Sequence, residues 1–376
     1  MACSSSSPSP WSLVWRAHLL GAVDGTPAIA GGLVVAGSAG GELGAFDERT
    51  GRRIWVRSGL GAITDSPAVD TGRVFAGTLT GHLLAFVAAD GRPLWDWTGP
   101  SDAALWSSPV VHRGLVIIGV ASPFGDQPLV AGELVAIDAQ TGRQRWSLCL
   151  RAGCARGDGV WSTAAIDANG VAFAGVGNPG DGVIAFDPMT GARKWQVGLY
   201  PDSQRDLDVG ARPVIVSAGG GELVEVGSDE GTFVALNAAD GRVVWSRKLV
   251  EGAPVHGLIA SPAYDGANVY AASASPPYGL FVLKASSGEV AWRHSTDLPA
   301  YSAPAIARGV VVFGTGAVFG DVNAGSLIGL STVDGKELWR YDVRSAVRSG
   351  PTIAGDTVFA GDHAGDVIAL RVSSLS

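Results

Sequence analysis

The sequence predicts an all-β fold: an eight-bladed β-propeller of four-stranded antiparallel blades, its ring closed by the N-terminal strand. Three observations carry this expectation. An eleven-residue motif recurs along the chain, a Pro-containing motif alternates with it, and glycine is in excess, at 54 of 376 residues. Repetition every roughly 40–50 residues without helical periodicity reads as stacked sheet units.

The first motif stands at 45–55 (AFDERTGRRIW), 85–95 (AFVAADGRPLW), 136–146 (AIDAQTGRQRW), 185–195 (AFDPMTGARKW) and 235–245 (ALNAADGRVVW). Weaker copies occupy 282–292 and 329–339. Each has Gly at its seventh place and Trp at its eleventh, and consecutive Trp residues lie 40 to 51 positions apart. The second motif appears as Thr26-Pro27-Ala28, Ser66-Pro67-Ala68, Ser108-Pro109-Val110 and Ser261-Pro262-Ala263. Degenerate versions start at Ser162, Arg212, Ala303 and Gly350.

Each unit reads as four strands. The first opens at the Pro motif and ends at a turn such as Ala30-Gly31-Gly32. The second is an apolar run such as 33–36, the third carries the motif's Ala, and the fourth ends near its Trp. The Thr-Gly or Asp-Gly pair before the fourth strand is a hairpin signal. Trp is large and has one N–H to satisfy, so it suits a wedge between blades that donates to a backbone carbonyl. Ala at the first place leaves room for its ring. Eight Pro-type starts face only seven complete Trp motifs. The last start, at Gly350, lacks a fourth strand, and 11–17 is an orphan strand. Residues 11–17 therefore complete the last blade with 349–371, which leaves no open sheet edge. Residues 1–10 read as a flexible Ser/Pro tail and 11–376 as a single propeller.

Composition narrows the function. Lys and Arg number 27 against 35 Asp and Glu, a net charge of −8. No basic surface is available for phosphate backbones, so nucleic acid is not an expected partner. No apolar run reaches 18 residues, the length expected of a spanning helix.

The cysteines leave alternatives open. Cys149 and Cys154 are either a local disulfide, which requires an oxidising compartment, or two free thiols. No His follows them, so they are not a haem-attachment motif. Cys3, in Ala2-Cys3-Ser4 before a Ser-rich tether, looks like the end of a bacterial lipoprotein signal. The other reading is a stray Cys in a disordered tail. Membrane association is expected only through lipidation at Cys3, and the location is expected to be periplasmic or extracellular.

The Ala-x-Asp-x-x-Thr-Gly-x-x-x-Trp motif resembles the pyrroloquinoline quinone (PQQ) repeat of eight-bladed quinoprotein propellers. The resemblance covers 11–376. That family contains both PQQ-dependent dehydrogenases and cofactor-free scaffolds such as the outer-membrane assembly lipoprotein BamB, so it leaves function open.

Strand direction places the long loops on one face: 121–132, 177–182, 200–211, 273–279 and 314–325. A ligand site is expected there, near the axis. Blade four carries the densest constellation, with Trp161, Asn178, Asp206 and Asp208 in three separate segments. A planar cofactor would stack on Trp161, while Asn178, Asp206 and Asp208 would give hard oxygen ligands to Ca²⁺. Asp206 would be the general base for an alcohol proton. These segments resemble PQQ-dependent alcohol dehydrogenases, including the polyvinyl-alcohol dehydrogenase branch. The resemblance implies a stacking role for Trp161, a metal-binding role for Asn178, a catalytic role for Asp206 and an extra carboxylate ligand in Asp208. His256 and Arg348 are expected on the same face, and His82 and His112 near turns of the other.

The chain also departs from that pattern. Gln127, or its neighbour Asp126, stands where the family's metal-binding Glu is expected. The acidic turn Ser228-Asp229-Glu230-Gly231 stands where a cation usually touches the quinone oxygens, and would repel the cofactor's carboxylates. Arg205 replaces a Trp, and no haem motif supplies an internal electron acceptor. Two expectations follow. One is a PQQ- and Ca²⁺-dependent dehydrogenase with an alcohol or sugar substrate and an external electron acceptor. The other is a non-catalytic, BamB-like envelope scaffold that binds protein partners. A weaker third is a glycan-binding module stacking sugars on Trp97 and Trp106.

Overall fold

The expected closure is present. Trp11–His18 pairs antiparallel with Asp366–Val372, in a sheet that continues through Thr357–Gly361 to Thr352–Ala354. The computed structural model describes residues 9–201, 207–218 and 220–375. Seven further four-stranded antiparallel sheets precede this last blade, each in simple sequence order from the axis outward. Blade 1 comprises Ala28–Ala30, Leu33–Gly37, Leu43–Asp47 and Arg53–Arg57. Blade 3 comprises Val110–His112, Leu115–Val120, Glu133–Asp138 and Gln144–Cys149, blade 4 Ala165–Ile166, Ala172–Val176, Gly182–Phe186 and Arg193–Gly198. Blade 5 comprises Val214–Ala218, Gly221–Gly227, Thr232–Asn237 and Val243–Lys248. The only helical turns among the described residues are Ala152–Cys154 and Ser373–Leu375.

The second and third strands are buried almost throughout, because a neighbouring blade packs on each of their faces; Val34, Val35, Leu83 and Ala85 show no exposed surface. Their side chains therefore read as continuous apolar runs rather than as alternation. The outer strands face water and continue past the motif Trp, as in Pro93–Thr98.

Trp makes the seam between blades. Its indole N–H donates to a carbonyl in the next blade's third-to-fourth turn: Trp15 to Glu48 (2.8 Å), Trp55 to Ala88 (2.7 Å), Trp195 to Ala238 (3.0 Å) and Trp245 to Ala285 (3.0 Å). The motif glycine lies under that ring. A Cβ on Gly51 would stand 2.6 Å from Trp15, and one on Gly241 2.7 Å from Trp195. Both glycines also have φ near +70°, so glycine is required twice over. The turn is a bulged one: the register shifts after the motif Ala, and Asp47 Oδ1 accepts from both the Thr50 N–H (2.9 Å) and its hydroxyl (2.6 Å).

The seam fails at one place. Trp339 Nε1 is buried without a partner. In the closing blade the third strand ends at Val372 and the outer strand is Trp11–His18, so no third-to-fourth turn exists to offer a carbonyl. Gly329, at the motif's Ala place, lets the Trp339 ring lie closer; a Cβ there would be 2.2 Å from Nε1.

Glu225 is the other irregularity. It pairs with Ala235 where blades 2, 4 and 8 put Phe75, Phe173 and Phe359 opposite the motif Ala. It is fully buried, and neither carboxylate oxygen has a hydrogen-bond partner. Burial pushes its pKa up to about 8.

Two outcomes test this. Trp195→Phe is expected to cost about 1–2 kcal/mol more than Trp339→Phe in urea unfolding, because only the first loses an indole hydrogen bond. Glu225 binds its proton more tightly folded than unfolded. Its stabilising contribution is thus complete below about pH 4.5 and lost as pH rises toward about 8. Thermal melts should show Glu225→Gln flattening that fall and gaining about 2–5 kcal/mol at pH 8.

Candidate functional site

Each inter-blade linker brings its chain to the axis two residues before the Pro-type position, which in blade 4 is Thr163 rather than the expected Ser162, since it is the Thr163 hydroxyl that accepts the Ser108 N–H. These residues surround a mouth of about 300 Å³, to which Asp24, Trp106, Trp161, Ile259, Tyr301 and Arg348 belong. Beside it lies a smaller hollow of about 90 Å³ lined by Phe124, Trp161, Asp208, Asp229, Val255 and Ile259. Both lie on the long-loop face.

Trp161 is where the sequence placed it, but not with a bare ring. Trp106, from the preceding linker, stacks on it at 5.2 Å with the planes 8° apart. The Trp106 N–H is held by the Ser122 carbonyl at 2.9 Å. Trp106 is thus a packing partner rather than a lone platform, and Trp97 donates to Gln144 Oε1 at 3.2 Å.

Asn178 and Asp208 do come together. The Asn178 backbone N–H donates to Asp208 Oδ1 at 2.7 Å, a short charge-assisted bond. Gly177 makes the approach possible, since a Cβ there would stand 2.8 Å from the same oxygen. The chain continues the stitching: the Asp229 N–H donates to the Asp208 carbonyl (3.0 Å), and the Val255 N–H donates to Asp229 Oδ2 (3.1 Å). Asp208 and Asp229 therefore tie together the second-to-third loops of blades 4 and 5 and the two linkers beside them.

The electrostatics are acidic. Asp181, Asp208 and Asp229 are all buried. The Tyr200 hydroxyl, which donates to the Leu207 carbonyl, is pushed well above the usual phenol range, first by burial and then by these three carboxylates. Burial, together with Asp229, pushes Tyr301 up to about 12. Asp158, beside Asn178 through its N–H to the Asn178 carbonyl (2.8 Å), is raised by burial against the opposing pull of Arg151 at 4.0 Å. Across the mouth, Arg348 Nε lies 3.1 Å from Asp24 Oδ1 and its guanidinium meets His363 Nδ1.

Other expected residues fare differently. Asp206 lies outside the described residues. Gln127 is exposed on its loop and lines neither hollow. His256 is on the long-loop face, its Nδ1 2.8 Å from the Pro254 carbonyl and its ring edge against Tyr301. His82 corrects an expectation: it starts a third strand, hence lies on the long-loop face, paired with Asp96 at 2.8 Å. Cys149 and Cys154 form a disulfide with Cα atoms 5.1 Å apart.

The lining tests the expected cofactor. The oxygens of Asn178 and Asp208 are of the kind a hard cation takes, although no group of three His, Cys, Asp or Glu residues assembles for a metal among the described residues. The charge of the lining opposes a tricarboxylate quinone. Trp106 covers one face of Trp161, which otherwise lines the hollow of about 90 Å³ and the mouth of about 300 Å³. The carboxylates would meet Asp208 and Asp229, while Arg348, the one cation lining the mouth among the described residues, is engaged by Asp24. What sequence reasoning missed here is Trp106, Asp24 and Tyr301 as a set. Their common phase, two residues ahead of each Pro-type position, was the available signal.

The comparisons with known proteins agree with this divided picture. A PQQ-repeat family model, described as outer membrane protein assembly factor BamB, matches residues 11–175, 180–274 and 253–374. A polyvinylalcohol dehydrogenase of Sphingopyxis sp. (strain 113P3) is 30% identical over 293 residues, covering 72% of this chain and 40% of that protein. The outer membrane protein assembly factor BamB of Burkholderia pseudomallei (strain K96243) is 27% identical over 291 residues, covering 73% of this chain and 66% of that protein. The chain thus spans well under the full length of these relatives. The crystal structure of a quinohemoprotein alcohol dehydrogenase from Comamonas testosteroni superposes with a TM-score of 0.79 at 17% identity, over 97% of this chain and 77% of that one. At that identity the likeness speaks for the fold alone.

Removing the carboxylate that joins the loops has a defined consequence. Asp208→Ala strands the Asn178 N–H and is expected to cost at least about 1–3 kcal/mol. Hydrogen exchange should show the amide of residue 178 opening faster, with the blade 1 amides unchanged.

Proposed function

The chain belongs to the PQQ-repeat family described as outer membrane protein assembly factor BamB, and from that premise we propose that it is a non-catalytic scaffold of the bacterial envelope whose long-loop mouth binds a protein partner. One observation carries this reading. Phe124 and Phe319 are 61% and 57% exposed, at the tips of the second-to-third loops of blades 3 and 7. In a ring of eight, those blades face each other across the axis. Both rings stand in solvent at opposite sides of the mouth, where a partner seated on this face would cover them. The acidic floor between them, Asp208 and Asp229, favours a segment that brings positive charge.

An envelope location is part of the proposal. It draws on the Cys149–Cys154 disulfide, which persists in oxidising compartments. Lipidation at Cys3 would tether the ring and leave the long-loop face free to dock. No helix among the described residues is long and apolar enough to cross a membrane.

The competing reading is a dehydrogenase oxidising an alcohol or sugar, with Asp206 as base and PQQ and Ca²⁺ bound. It draws on the meeting of the Trp161, Asn178 and Asp208 segments and on the polyvinylalcohol dehydrogenase relative. The lining weighs against it, since both the anionic cofactor and the floor are negative.

Two measurements separate the readings. A photo-crosslinking amino acid placed at Phe124 or Phe319 in cells is expected to trap one envelope protein. The same group at Val333, 85% exposed on the opposite face, should trap none. Purified protein titrated with PQQ and Ca²⁺ should show no saturable micromolar binding and reduce no artificial acceptor. Turnover that Asp206→Asn abolishes would overturn the scaffold reading.

A further inference from the structure

Below the mouth, the channel lining holds one cation, Arg212, and no acid among the described residues. This lower chamber, about 440 Å³, is lined by Thr26, Ser66, Ser108, Thr163, Arg212 and Ser261 among others, and no carboxylate belongs to its lining. Arg212 occupies the Pro-motif position at which most blades carry a hydroxyl. Its backbone N–H donates to Ser261 Oγ at 3.1 Å, and its side chain remains open to channel water. No carboxylate acts on the guanidinium among the described residues, so its charge is open to an anion entering the channel.

The hydroxyls around it are pre-set as donors. The Thr26 N–H donates to Ser66 Oγ (2.9 Å), the Ser66 N–H to Ser108 Oγ (3.2 Å), and the Ser108 N–H to Thr163 Oγ1 (2.9 Å). Together with Ser261, four hydroxyl oxygens are thus engaged as acceptors by a neighbouring blade, and none of their hydrogens meets a protein acceptor among the described residues. A hydroxyl used as an acceptor on one side offers its O–H on the other. The mouth above does not cancel this. Asp24 is paired with Arg348, and burial pushes the Asp65 carboxyl well above its usual range.

We propose that the lower chamber is a binding site for a small oxyanion of phosphate type, taken by the Arg212 guanidinium fork and the waist hydroxyls. A guanidinium matches two oxygens of such an anion at once, and hydroxyls spaced around a ring suit its remaining oxygens. The chamber is larger than phosphate itself, so the anion is either free or the phosphoryl end of a small ester. The site is separate from the hollow at Trp161 and does not depend on the scaffold reading.

Calorimetry and ³¹P line broadening with inorganic phosphate, at ionic strength fixed by chloride, test the assignment. Saturable one-site binding is expected, and phenyl phosphate in a second arm shows whether an ester is admitted. Arg212→Gln should weaken phosphate about tenfold or more, and Arg212→Lys less, because it keeps the charge and loses the fork. Thr163→Val should weaken it about two- to fivefold. Circular dichroism and thermal melts establish that each variant is folded; Arg212→Lys and Thr163→Val keep the test decisive if Arg212→Gln is not. Arg113, in a separate groove at the lower rim, is the control. Equal affinity in the wild type and the Arg212 variants, or loss in Arg113→Gln instead, overturns the proposal.

Discussion

The seam between blades is the constraint on which the molecule depends. One indole covers a glycine of the next blade and donates its N–H to that blade's turn, so each blade is oriented by the one before it. Trp15 does this for blade 1 from the far end of the chain, which makes the N-terminal strand a structural member of the last blade. The broken seam at Trp339 follows from the same rule. The third and outer strands of the last blade are remote in sequence, so no turn joins them, and an indole N–H is left buried without that acceptor.

A ring assembled in this way produces two further rings at no cost in irregular backbone. The Pro-type positions meet at the waist, where a hydroxyl of one blade receives the backbone N–H of another, as between Ser66 and Ser108. Two residues earlier, the linkers converge on the mouth and present whatever side chain that phase carries. Function in such a fold is written in residues that the scaffold positions but does not require. Trp106, Trp161 and Arg348 can therefore vary without disturbing the seams.

This separation explains how one family accommodates dehydrogenases and assembly factors. Here Trp161, Asp208 and Asp229 line one hollow, and Asp208 meets the Asn178 backbone. Asp208 serves as a clasp, holding the Asn178 backbone. Phe124 and Phe319 stand exposed on the same face.

Much of this was legible in the chain. The Trp and Gly spacing determined the blade number, the seam and the closure, because each is a local pattern repeated until only one ring satisfies it. The convergence of Trp161, Asn178 and Asp208 followed from strand direction alone. Other features needed coordinates. Nothing in the sequence says that Trp106 lies flat on Trp161, that Asp208 is engaged by a backbone amide, that His82 sits on the long-loop face, or that Arg212 lines the channel. Periodicity reports which side of a strand faces a neighbour, whereas these contacts join residues from different blades at the axis. Their distances are set by the curvature of the closed ring, a property of all eight blades together that no single repeat encodes.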